Sequence, residues 1–206
     1  MKAAFFCNLA VVIGTFLSVQ VYFRARDGKT GPQNGLHAFR YFTTLSNVFA
    51  GITSLILLIR ERPALSGQTV TLTDGILFLK FLSTTAVMVT LLTVLFFLGP
   101  SMGYGFLLAR EGLYLHLIGP LLCFAGFCFL EKGAGFPKAA AFAGLLPTAL
   151  YGAVYLYQVV LKGEERGGWE DFYGFNKGGK WPVSIAAMLT GTLLIALVVL
   201  SIHNHV

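Results

Sequence analysis

The chain has 206 residues, of which 56% are hydrophobic and 12% charged, with a mean hydropathy of +0.74. A soluble domain carries roughly 25% charged residues, so this composition excludes a water-soluble globular domain and a disordered chain alike. The net charge of +6 would suit nucleic acid in a soluble protein. Here the basic residues stand mostly at the ends of apolar runs, which points to anionic headgroups at a membrane surface and away from nucleic acid.

A membrane-spanning helix needs about 20 apolar residues, and six such runs follow one another. The first, 3–23, begins after Lys2 as a signal peptide would. It is long for one, and no small-x-small cleavage site precedes Arg24, so it reads as a retained anchor. The second, 39–59, has Arg40 near its start and Arg60 just past its end. The third, 75–98, stops at Gly99-Pro100. The fourth, 112–130, lies between Arg110-Glu111 and Glu131-Lys132. The fifth, 137–161, opens on Pro137, a favoured first helical residue. The sixth is 182–202. The expected architecture is an all-α bundle of six transmembrane helices, one integral membrane domain over 1–206. The longest loop, between the fifth and sixth spans, holds Trp169, Phe172, Tyr173, Phe175 and Trp181 among charges and glycines, an interfacial composition.

Lys and Arg set the orientation. Nine of them (Arg24, Arg26, Lys29, Arg40, Arg110, Lys162, Arg166, Lys177 and Lys180) flank the loops after spans one, three and five. Five (Lys2, Arg60, Arg62, Lys132 and Lys138) flank the other side. The first side is read as cytoplasmic. Cys7, Cys123 and Cys128 lie in apolar runs without metal-ligand spacing and read as buried small hydrophobes. No metal is expected.

Inside the spans, polar side chains carry the information. Thr43, Ser46 and Asn47 fall at i, i+3 and i+4, on one helical face of span two. His116 is the one histidine well inside a span; His37, His203 and His205 lie at ends or in loops. Without a paired histidine no haem is expected, and no other cofactor. Pro120 kinks span four and frees the carbonyl of His116, four residues back. Thr43 lies three residues past Arg40 and His116 six past Arg110. At 1.5 Å per residue both sit within roughly 5–9 Å of the same interface. A hydroxyl and an imidazole at matching depth suit nucleophile and general base. Span five carries Thr148, Tyr151, Tyr155 and Gln158 as a polar stripe ending on that side, so Tyr155 and Gln158 are pocket candidates. Glu111 and Asp171 read as solvated interface charges. Lys80, near the other end of span three, is expected to snorkel to that interface. Asn8 finds no assignment.

The segment Tyr41-Phe42-Thr43-Thr44-Leu45-Ser46-Asn47, read as F-T-x-x-S-N, is followed later by His116-Leu117-Ile118-Gly119-Pro120. Together they resemble the androgen-induced/androgen-dependent membrane protein family, whose six spans and length are also similar. The short microbial branch is the nearer likeness, and Trp169-Glu170-Asp171-Phe172-Tyr173-Gly174-Phe175 resembles that branch too. The animal members differ in the residues around the threonine, and the microbial substrate does not follow from the likeness. The resemblance implies an intramembrane threonine hydrolase of fatty acid esters of hydroxy fatty acids, or similar lipid esters. Thr43 would be the nucleophile and His116 the base. Asn47 and Ser46, deeper on the face of Thr43, are candidate oxyanion donors. The expected partner is a membrane lipid or acyl-ester substrate. The competing readings are a small-molecule or proton carrier with His116 as relay, and a non-catalytic lipid-binding protein.

Overall fold

The computed structural model describes residues 1–24, 35–131, 133 and 135–206. Arg26, Lys29 and Lys132, counted above among the flanking charges, lie outside the described residues. Six helices are long and apolar enough to cross a membrane: α1 (Lys2–Val21), α2 (Phe42–Ser66), α3 (Asp74–Met102), α4 (Glu111–Leu130), α5 (Lys138–Lys162) and α6 (Trp181–His205). No strand occurs among the described residues. The chain is an all-α, six-helix, multi-pass integral membrane protein. Its outer face agrees: Phe16, Ile59, Phe96, Phe97 and Val183 are 61–72% exposed, a surface suited to lipid and not to water.

The boundaries differ from the expectation chiefly at α2, which also runs on past 59 through a 3₁₀ turn to Ser66, and at the end of α3. α2 starts at Phe42 because Gly35–Arg40 forms a 3₁₀ turn and Tyr41 is extended. α3 does not stop at Gly99-Pro100. A π turn over Val94–Leu98 leads into a further helical turn, Gly99–Met102, with Pro100 in its first positions. There the missing proline N–H costs little. Gly103, at φ 89°, then ends the helix.

α3 is the central helix: 61% of its apolar stretch is buried, against 22–39% in the other five. Ser83, Thr84 and Thr85 are fully buried on it. Thr53 and Ser83 pair across α2 and α3 at 2.8 Å, as do Ser46 and Thr90 at 3.0 Å. Small residues and hydroxyl pairs hold helices together where lipid removes the hydrophobic drive. Phe81, Phe127, Ala141, Ala196 and Val199 form the apolar core that α3 shares with α4, α5 and α6. Gly144 is the close approach of α5 to this core, since a Cβ there would sit 2.8 Å from the Ala196 methyl and 3.2 Å from Phe81. Gly144→Val is expected to cost about 1–3 kcal/mol through overpacking, read as a lower thermal midpoint in detergent micelles.

α4 is an irregular span. It contains π turns at Tyr114–Ile118 and Gly126–Leu130. The first ends two residues before Pro120, which has no N–H to give to His116, and Gly119 N–H bonds to Tyr114 O instead. Single π turns of this kind occur frequently at functional sites.

Candidate functional site

Thr43 is half-buried in the first turn of α2 and lines a cavity of about 60 Å³ at the loop-five end of the bundle. That is the space of a few waters or of a carbonyl group. Val89, Thr90, Thr93, Val94 and Leu98 of α3 line it, with Thr148, Tyr151 and Tyr155 of α5 and Met188 of α6. Phe42 and Tyr151 also line a second, lipid-side groove of about 380 Å³ between α2 and α5, together with Leu45, Leu150 and Val154. Trp169 joins that groove to a polar bowl of about 590 Å³ lined by His37, Arg40, Tyr41 and Glu170. Bowl, groove and cavity thus share walls from the surface to Thr43.

Loop five closes the cavity. Its interfacial rings fold onto α5. Trp169, Phe172, Tyr173 and Phe175 pack around Tyr155 at ring separations of 5.0–6.3 Å. Asp171, expected as a solvated charge, organises this lid. Its Oδ1 accepts from the Tyr155 hydroxyl and from Phe175 N–H at 2.8 Å, and its Oδ2 from Asn176 N–H at 2.8 Å. The Tyr173 hydroxyl accepts from Phe42 N–H at 3.0 Å, tying the lid to the start of α2. Burial pushes the Tyr173 phenol up to about 12, so it stays neutral at physiological pH. Hydrogen bonds to a charged group are worth about 1.5–3 kcal/mol. Asp171→Ala is therefore expected to loosen the lid, seen as faster hydrogen exchange at the amides of Phe175 and Asn176.

The other predicted residues separate. Tyr155 lines the cavity with Thr43, its hydroxyl taken by Asp171 and by Tyr173 N–H. Gln158 is not in the cavity lining; its Oε1 is buried without a partner. Asn47 and Ser46 have work other than the expected oxyanion role. Asn47 Nδ2 donates to Thr43 O at 2.8 Å and to Leu115 O at 2.9 Å, spending both hydrogens on backbone. It straps the turn carrying Thr43 to the turn carrying His116. Ser46 Oγ lies 3.1 Å from Thr43 O and 3.0 Å from Thr90 Oγ1. The donor missed by the sequence reading is Thr148, buried, unpartnered and in the cavity lining.

His116 Nδ1 lies 2.6 Å from Leu107 O. A carbonyl only accepts, so Nδ1 carries the hydrogen and Nε2 the basic lone pair. No hydrogen bond joins His116 to Thr43, and His116 is outside the cavity lining. Glu111, also expected as solvated, is half-buried with Oε2 enclosed and unpartnered.

One expectation fails at the other end of the bundle. Lys80 does not snorkel. It is 1% exposed, 3.5 Å from Glu131 Oε1, and donates to Asn8 Oδ1 at 2.7 Å and Ser54 Oγ at 2.8 Å. The buried carboxylate, read from sequence only as a span-end marker, supplies the counter-charge that solvent would otherwise provide. His203, in the last turn of α6 as expected, is buried, stacked on Phe127 at 4.1 Å, with Nδ1 2.7 Å from Phe127 O. The three cysteines are free.

Comparison with protein-family models, with curated proteins and with solved structures finds no match.

Proposed function

We propose that this protein is an intramembrane hydrolase of lipid esters, with Thr43 as nucleophile and His116 as its base. The place of Thr43 carries the reading: its cavity shares the Phe42 and Tyr151 wall with a lipid-side groove. An acyl chain enters the groove laterally, its polar end rests in the bowl beside Arg40 and His37, and its ester carbonyl reaches Thr43. The likeness of the F-T-x-x-S-N segment and His116 to a threonine hydrolase family supports the same assignment.

Thr43 Oγ1 attacks the carbonyl carbon while its proton passes to His116 Nε2. The tetrahedral oxyanion takes the free Thr148 hydroxyl as a donor. Collapse breaks the ester C–O bond, and His116 returns the proton to the departing alkoxide. Water then cleaves the acyl-threonine with His116 again as base. Thr43 and His116, unbonded in this structure, come within hydrogen-bond reach in the reacting complex, and Asn47 keeps their two turns in register. The site faces the basic side of a microbial cell membrane, which we read as cytoplasmic.

A fluorophosphonate probe tests this on the purified protein in micelles. The labelled peptide is expected to contain Thr43, with labelling lost in Thr43→Ala and slowed in His116→Ala. Labelling that persists in Thr43→Ala overturns the nucleophile. An intact protein that neither labels nor turns over lipid esters returns the reading to non-catalytic lipid binding, which the absence of His116 from the cavity lining favours.

A further inference from the structure

α1, α2 and α3, with the residue that follows α4, bring Asn8, Glu61, Lys80 and Glu131 to one point, each no more than 1% exposed. Glu61 lies eighteen residues beyond Thr43 on α2, roughly 27 Å along the helix, so this cluster stands apart from the proposed ester site. Its donors are all used. Lys80 Nζ serves Asn8, Ser54 and Glu131. Asn8 Nδ2 serves Glu61 Oε2 at 3.1 Å and Glu131 Oε1 at 2.9 Å. Two acceptors remain buried without partners, Glu61 Oε1 and Glu131 Oε2.

The charges do not balance. One ammonium faces two carboxyl groups, so full ionisation would leave a negative charge sealed among apolar helices. Such a charge is normally removed by protonation. The ion pair assigns the charge: Glu131 has Lys80 beside it, whereas Glu61 meets only the neutral amide of Asn8. The other ionisable groups near the cluster are the half-exposed amino terminus and the thiols of Cys7 and Cys123. A calcium or magnesium ion takes six or more ligands, mostly oxygens. Two orphan oxygens fall short of that, and no group of three metal-binding side chains occurs among the described residues.

We propose that this cluster is a proton-binding site: Glu61 carries one exchangeable proton at neutral pH, and its release loosens this end of the bundle. The step is Glu61–COOH giving Glu61–COO⁻ and a proton to water, with no electron moved. The folded chain then holds one proton more than the unfolded chain, in which a glutamate is ionised above about pH 4.3. Folding stability falls as pH rises, by up to about tenfold in the equilibrium constant per pH unit, until Glu61 ionises in the folded state too.

Three measurements decide it. Unfolding the native protein in weakly buffered micelles at pH 7, with a pH indicator, is expected to release one proton per chain more than Glu61→Gln does. Infrared spectra are expected to show a protonated carboxyl stretch that shifts in D₂O and vanishes in Glu61→Gln. The thermal midpoint of the native protein should fall with rising pH, and that of Glu61→Gln should fall less. A band that survives Glu61→Gln overturns the assignment to Glu61. Absence of both band and proton release overturns the site, as does stabilisation by sodium over potassium at constant pH without proton release. If Glu61→Gln does not fold, proton release and the infrared band of the native chain decide alone.

Discussion

Exchanging Lys80 for Met is expected to cost the folded bundle about 3–5 kcal/mol, the penalty of leaving a buried charge without its partner. Without the ammonium, Glu131 faces only the Asn8 amide, and Asn8 Oδ1 and Ser54 Oγ lose the donor they now share. Most of the material should aggregate on extraction, and the folded remainder should melt early in micelles. The double variant Lys80→Met/Glu131→Gln removes both charges and should recover much of the loss, because a neutral pair needs no counter-ion. Equal stability of single and double variants would show that the two groups are not coupled. A snorkelling lysine would behave otherwise, since exposed pairs are worth only about 0–1 kcal/mol.

Thr43→Ala is expected to lower ester turnover by about 10³-fold or more, and His116→Ala by about 10²–10⁴-fold. Thr43→Ser should retain measurable turnover, because it keeps the hydroxyl and removes a methyl. The double variant should be little worse than the poorer single one, since nucleophile and base act as one unit. A kinetic comparison on a fatty acid ester of a hydroxy fatty acid in mixed micelles measures all four. Thermal midpoints alongside separate chemistry from folding: Thr43 is half-buried and makes no interhelical side-chain bond, so its alanine variant should melt within about 1 kcal/mol of the native protein. Strictly additive losses would argue against a shared catalytic step.

Different parts of this arrangement were legible in the sequence to different degrees. Thr43 could be found because its spacing to Ser46 and Asn47 is a local property of one helix. The strap from Asn47 to Leu115 crosses 68 residues, and no periodicity reveals it. Asp171 looked like a surface charge because its neighbours are polar and glycine-rich. Its partners are the backbone of its own loop and a tyrosine sixteen residues back, brought close only when the loop folds onto α5. Thr148 was seen as part of a stripe, but its freedom from partners depends on what α3 and α6 place opposite it.

The sequence by itself determined six membrane helices. Lipid offers no hydrogen bonds, so each apolar run must satisfy its own backbone, and that requirement is local. It also placed Pro120, whose missing N–H disturbs the turn of His116. The tertiary structure alone decided the fate of Lys80. Helical spacing shows which face a side chain occupies and not what meets that face. Lys80 stays in the bundle because Asn8, 72 residues earlier, and Glu131, at the end of another helix, arrive at the same point. A lone ammonium there would be driven to water; with two carboxyl groups and an amide around it, the buried position holds.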